Sequence, residues 1–147
     1  MIIVSACLAG INCKYNGGNN ASKKVIELVK TGKAIPVCPE QLGGGSTPRL
    51  KTEISGGSGK DVLDANCSVL REDGEVLTDV FLKGAQEVLK IAKLVNAEQA
   101  ILKSKSPSCG VGKIYDGSFT GQLINGNGVT TELLIRNGIK VISEIDV

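Results

Sequence analysis

An alternation of short apolar runs with amphipathic segments constrains this chain more than any other feature of its sequence. "MIIVSAC" and "KAIPVC" are apolar runs that each end at a cysteine. Between them, "NNASKKVIELVKTGK" has helical spacing at Val25, Ile26 and Val29, with Asn20 or Ser22 placed to cap its start and Gly32 to stop it. Strand, helix, strand is the expected order. A second unit follows, in which "DVFLKGAQEVLKIAKLV" carries Phe81, Ala85, Val88, Leu89, Ala92 and Val95 on one helical stripe and leads into the strand "QAILK". A third helix, Val129 to Asn137, is stopped by Gly138 and feeds the strand "IKVISE". This alternation predicts an α/β fold, a parallel sheet of about four strands with helices on both faces. Lys51 to Thr78 lacks helical periodicity and contains "GGSGKD" and the turn "EDGE", so it reads as a hairpin-like insertion. A smaller excursion is expected over "KIYDGSFTGQL". With no linker or repeat in view, residues 1–147 are expected to form one domain.

Composition narrows the function classes. With two Phe, two Tyr and no Trp, the core has to be aliphatic. A net charge of +2 with acids and bases interspersed gives no footprint for a phosphate backbone, so nucleic acid is not an expected partner. No apolar stretch approaches the ~18 residues that span a membrane. "MIIVSACLAG" has no basic leader and too short an apolar region for export, and is read as a strand of the mature protein. Five cysteines are an odd set without an export signal, so a reduced, cytoplasmic protein is expected rather than a disulfide framework. Histidine is absent, which removes the usual general base, the Cys-His nucleophile pair and every His-containing zinc site.

The cysteines supply the chemical signal. Cys7, Cys38 and Cys109 each fall at or just beyond the carboxyl end of an expected parallel strand, and those ends share the edge where open α/β sheets bind ligands. A single free cysteine is most often a small buried hydrophobe. Packing is a poorer account of three, because turn chemistry accompanies them: Cys38 stands between two prolines in "PVCPE", and Cys109 follows "SPS" and precedes a glycine. Three thiolates without histidine suggest an iron–sulfur cluster, with zinc the lesser reading since no CxxC pair occurs. Three protein ligands would leave one iron open to substrate; a fourth from Cys13 or Cys67 would close the site. Cys13 lies in a loop within reach of Cys7, whereas Cys67 lies in the insertion and reads as structural.

Other candidates surround the cysteines. Glu40, two residues after Cys38, is expected in the same crevice as a proton-transfer group, against the plainer reading of an exposed loop glutamate. Ser104, Ser106 and Ser108 are turn formers whose hydroxyls are also the nearest donors to Cys109. "GGGSTPR" offers Ser46, Thr47 and Arg49 to a phosphate or carboxylate, a weak signal on its own. Neither a P-loop nor GxGxxG occurs: Ile54 stands where the first P-loop glycine would be needed.

"SACLAG", "CKYNGG", "PVCPEQLGG", "TPR", "SPSCG", "YDGSFTG", "GNGVT" and "GIKVISE" occur in the order in which they stand in the thiouracil desulfidase family, which the chain resembles over essentially its whole length. The resemblance implies a Rossmann-like three-layer domain and a catalytic 4Fe-4S cluster held by Cys7, Cys38 and Cys109. It further implies removal of sulfur from thiolated uracil, as free base or thiouridine monophosphate, giving uracil or its nucleotide and sulfide. Glu40 and a serine, either Ser104 or Ser106, correspond to the family's catalytic helpers. Two departures stand out: Ser46 replaces the proline of many relatives, which bears on substrate fit, and Cys13 is an extra thiol. Two other functions remain open, a cluster- or zinc-binding sensor without substrate and a cluster-free thiol protein carrying persulfide on Cys38 or Cys109.

Overall fold

The computed structural model describes residues 1–147. Strand β1 (Ile2–Ser5) runs into a 3-10 turn, Ala6–Ala9, and a loop leads to helix α1 (Lys23–Lys30). Ser22 caps α1 by accepting from the Val25 amide. Strand β2 (Ala34–Val37) is followed directly by the short helix α2 (Pro39–Leu42). Next come β3 (Thr52–Ser55), α3 (Gly59–Leu63), β4 (Ser68–Arg71) and the long helix α4 (Thr78–Leu94). The chain closes with β5 (Gln99–Leu102), β6 (Lys113–Tyr115), β7 (Leu123–Asn125), α5 (Val129–Arg136) and β8 (Lys140–Ser143).

Four strands form one parallel sheet in the order β2-β1-β5-β8. Pro36 is tolerated because β2 is an edge strand, where a missing N–H breaks no ladder on the free side. The apolar faces of the helices settle on both sides of the sheet. On one, Ile3, Val37, Ala100 and Leu102 pack against Val88 and Ala92 of α4 and Leu134 of α5. On the other, Val4, Ala34 and Ile101 pack against Leu8 and Val25. The core is aliphatic, as expected, with Phe81 its one buried aromatic.

The expected insertion is an antiparallel pair, β3 with β4, and the smaller excursion is a second, β6 with β7. One feature departs from the sequence reading: "GKDVL" in the insertion forms α3, started by a capping box between Ser58 and Asp61. Five residues make little more than one turn, too short to display a helical period. Ile54, Val62 and Val69 of the insertion share a core cluster with Phe81 and Ala85 of α4, Ile114 of β6 and Val129 of α5. No helix is long and apolar enough to cross a membrane.

Two glycines decide where the segment after β2 lies. Gly43 and Gly84 let α2 and α4 approach backbone to backbone, since a Cβ on Gly84 would sit 2.0 Å from the Pro39 carbonyl oxygen and one on Gly43 2.0 Å from that of Val80. That approach seats Cys38 and Glu40 at the end of the sheet.

Candidate active site

The strand order reverses at β1, with β2 on one side and β5 on the other, so a crevice opens beyond the carboxyl ends of these strands. A cavity of about 430 Å³ lies there. Ser5, Cys7, Val37, Cys38, Lys103 and Ser104 line it from the three strand ends, and Ser106 and Cys109 from the loop after β5. Cys7, Cys38 and Cys109 thus face one space, each delivered by a different strand. Cys7 sits in the 3-10 turn and Cys38 is the first residue past β2, while Cys109 returns to the sheet through a turn in which the Ser106 hydroxyl accepts from the Cys109 amide at 2.7 Å.

The thiols differ in character. Burial pushes Cys7 up, against a lowering bond from Asn20, and pushes the buried Cys109 to about 12. The like charges of Cys7 and Cys38 add to the rise at Cys109. Cys38 moves the other way, down to about 7, because the Cys13 thiol donates to it and the Gln41 amide and Arg49 add to that lowering against burial. Cys13 rises in consequence. Cys13 is buried at the cavity wall, whereas the Cys67 thiol points to the Ser58 carbonyl, 3.7 Å away in the insertion, and does not line the cavity.

Glu40 also faces the cavity and is held from both oxygens. Arg49 Nη2 donates to Oε2 at 3.1 Å and the Thr52 hydroxyl to Oε1 at 3.4 Å. The same guanidinium donates to the Cys13 carbonyl at 2.9 Å, the Ser46 carbonyl at 3.1 Å and the Thr47 hydroxyl at 3.0 Å. Arg49 Nε is buried without a partner.

Among the other residues singled out in the sequence, Ser104 and Ser106 line the cavity and Ser46, Thr47 and Ser108 do not. The "GGGSTPR" loop does not form an anion cradle with Arg49. Thr47 instead ties Gln41 and Arg49 together, and Ser46 bonds the Pro48 carbonyl. Ser108 is buried against Thr130, hydroxyl to hydroxyl at 2.9 Å, anchoring the Cys109 turn to the start of α5.

One group escaped the sequence reading. Glu144, just past β8, accepts from the Ser104 amide at 2.8 Å and from its hydroxyl at 2.5 Å, and pairs with Lys103 Nζ at 3.3 Å. Lys103 Nζ donates to the Ser104 hydroxyl as well, at 3.1 Å. The strand-end rule that selected the cysteines would have selected this carboxylate, since "VISE" closes the fourth parallel strand.

No three His, Cys, Asp or Glu side chains are gathered tightly enough to grip a single metal ion. Three thiols standing around a shared cavity suit a larger, thiolate-bound group. The wall around them carries five basic side chains, Lys14, Arg49, Lys51, Lys103 and Lys105, against three carboxylates, Glu40, Glu53 and Glu72, a balance that offsets the negative charge such a group would bring. The residues therefore fit an iron–sulfur cluster.

Comparison with known proteins agrees. The family model described as 2-thiouracil desulfurase matches residues 2–146. An uncharacterized protein of Bacillus subtilis (strain 168), YbbK, is 51% identical over 144 residues, covering 98% of this chain and 95% of that protein. A solved structure, that of the 4Fe-4S-dependent thiouracil desulfidase TudS, superposes with a TM-score of 0.87 at 39% identity, covering 99% of this chain and 91% of that one.

Proposed function

The chain belongs to the 2-thiouracil desulfurase family, and from that premise we propose that it is a 4Fe-4S-dependent desulfidase acting on thiolated uracil bases or nucleotides. Cys7, Cys38 and Cys109 would hold the cluster. The observation that carries the reading is the meeting of these three thiols, each from a different strand end, with the braced carboxylate of Glu40 around one cavity. The reaction replaces the C=S bond with C=O: water gives its oxygen to the carbon, and the sulfur leaves as sulfide with no net redox change. A bound cluster with one open iron supplies a Lewis acid for the soft thione sulfur.

The chain's own residues supply the rest. Glu40 takes the proton of the attacking water, and the Arg49 bond keeps its carboxylate aimed for that task. The Ser104 hydroxyl, held by both Glu144 and Lys103, and the Ser106 hydroxyl are candidate proton donors on the Cys109 side of the cavity. All five cysteines are free, which supports a reducing, cytoplasmic setting, and residues 1–147 act as one domain.

The test is anaerobic reconstitution with iron and sulfide, then a sulfide-release assay on thiouracil and thiouridine monophosphate. Release from either supports the reading, and none from both overturns it. The buried Cys13 thiol beside Cys38 favours one other reading, a closed four-thiolate site in a sensing protein. That reading predicts a stable cluster with no sulfide release.

A further inference from the structure

The chain holds four aromatic side chains, and their distribution is uneven. Phe81 packs in the core, while Tyr15, Tyr115 and Phe119 all line the cavity that holds the three thiols. An aliphatic protein has thus placed its flat, polarisable surfaces where a ligand would sit. Tyr15 already carries cations, with Lys14 Nζ 5.8 Å and Lys51 Nζ 5.5 Å from its ring centroid. Phe119 has no such occupant.

Phe119 is also held in an unusual way. Its φ is +57°, a left-handed backbone that a bulky side chain adopts only when the surroundings impose it. The imposing group is Glu53. This carboxylate, only 6% exposed, accepts from the Gly117 amide at 2.9 Å and the Phe119 amide at 3.1 Å. Charge-assisted bonds of this kind are the stronger class. Gly117 presses the same loop onto β3, where a Cβ would come within 2.6 Å of the Ile54 carbonyl oxygen. A buried acid, a glycine contact and a left-handed residue all act to keep one apolar ring at the cavity.

We propose that Phe119 is a specificity-determining platform against which the flat ring of the thiolated pyrimidine stacks, and that Glu53 is the positioning residue that fixes it there. The ring identity rests on the desulfidase reading; the platform rests on the geometry of the loop. Stacking would orient the ring in the cavity and favour planar heterocycles over saturated thioamides. Tyr115, at the base of the same hairpin, extends the aromatic wall.

The test uses the anaerobically reconstituted protein with two ligands. Uracil, flat but without sulfur, is titrated by calorimetry, and thiouracil is assayed for sulfide release. Phe119→Leu is expected to weaken uracil binding and raise KM for thiouracil by about 5- to 150-fold, the range for losing one aromatic stack on a base. The loss should fall on KM more than on kcat, with the cluster absorbance intact. Phe119→Tyr should restore both. Glu53→Ala should reproduce the Phe119→Leu pattern, and Glu53→Gln should largely rescue it, because the amide oxygen accepts the same two N–H groups. If wild type releases sulfide and Phe119→Leu changes neither the uracil affinity nor KM, the platform is overturned and the desulfidase reading stands. If wild type releases no sulfide but binds uracil in a Phe119-dependent way, the platform stands and the desulfidase reading fails.

Discussion

Gly84→Ala is a one-methyl change that separates helix propensity from the packing that places the site. Gly84 lies in the middle of α4, where glycine costs about 0.8–1.0 kcal/mol relative to alanine, so propensity alone predicts a more stable protein. The structure predicts the reverse. The new methyl would stand 2.0 Å from the Pro39 carbonyl oxygen and 2.9 Å from its carbon. Because the obstacle is backbone, no side-chain rotation relieves it, and the two helices must part. Overpacking of this kind costs about 1–3 kcal/mol, leaving a net loss of up to about 2 kcal/mol after the propensity gain. At this chain length that lowers Tm by about 2–4 °C per kcal/mol. The larger effect falls on function, because Pro39 directly follows Cys38 and its carbonyl belongs to the peptide that leads into Glu40. A displacement of about 1 Å at reacting groups can cost on the order of 100-fold in rate. Urea unfolding followed by circular dichroism reads the first effect, and sulfide release by reconstituted protein the second. Lys83→Ala, on the exposed side of the same helix, is the control, expected within about 0.5 kcal/mol of wild type. A Gly84→Ala protein that gains the propensity term and keeps wild-type turnover would refute the close approach as the device that seats Cys38 and Glu40.

Three further outcomes follow from the geometry. Glu40→Gln should keep the reconstituted cluster's absorbance and lose turnover by about 10²- to 10⁴-fold, the range for a general acid–base group; full activity would exclude Glu40 as the base. In the cluster-free protein, iodoacetamide should modify Cys38 first at about pH 7, its rate climbing as pH rises through that value, while Cys7, Cys67 and the buried Cys109 lag, as peptide mass analysis would read. Glu144 is opposed by burial but lowered overall by the Ser104 hydroxyl and amide and by Lys103. Its contribution to stability is therefore complete above the usual glutamate value of 4.5 and fades as pH falls through the depressed folded value. The gap in urea midpoint between wild type and Glu144→Gln should close over that range; a gap constant down to about pH 2 would contradict it.

The sequence was most informative where one local rule governs a residue. Strand-helix alternation located the four parallel strands, and the convergence of their ends brought Cys7, Cys38 and Cys109 to one cavity before any contact was known. What stayed hidden depends on direction rather than position. Ser106 and Ser108 are both part of the turn before Cys109, yet Ser106 lines the cavity and Ser108 bonds Thr130, because α5 packs behind the turn. Composition made Ser46 and Thr47 resemble an anion site, but Arg49 folds back over them to reach Glu40. The gathering of Tyr15, Tyr115 and Phe119 comes from hairpin and loop placement, which no periodic pattern encodes. Its one trace in the sequence is how few aromatics the chain has.

The central claim is that three thiols, and not four, hold the cluster. Iron content and visible absorbance, measured after anaerobic reconstitution of the five single Cys→Ser variants, test it most directly. Cys7→Ser, Cys38→Ser and Cys109→Ser should each lose the cluster, while Cys13→Ser and Cys67→Ser should keep wild-type iron. Loss of the cluster in Cys13→Ser, or full iron in any of the first three, would contradict the account.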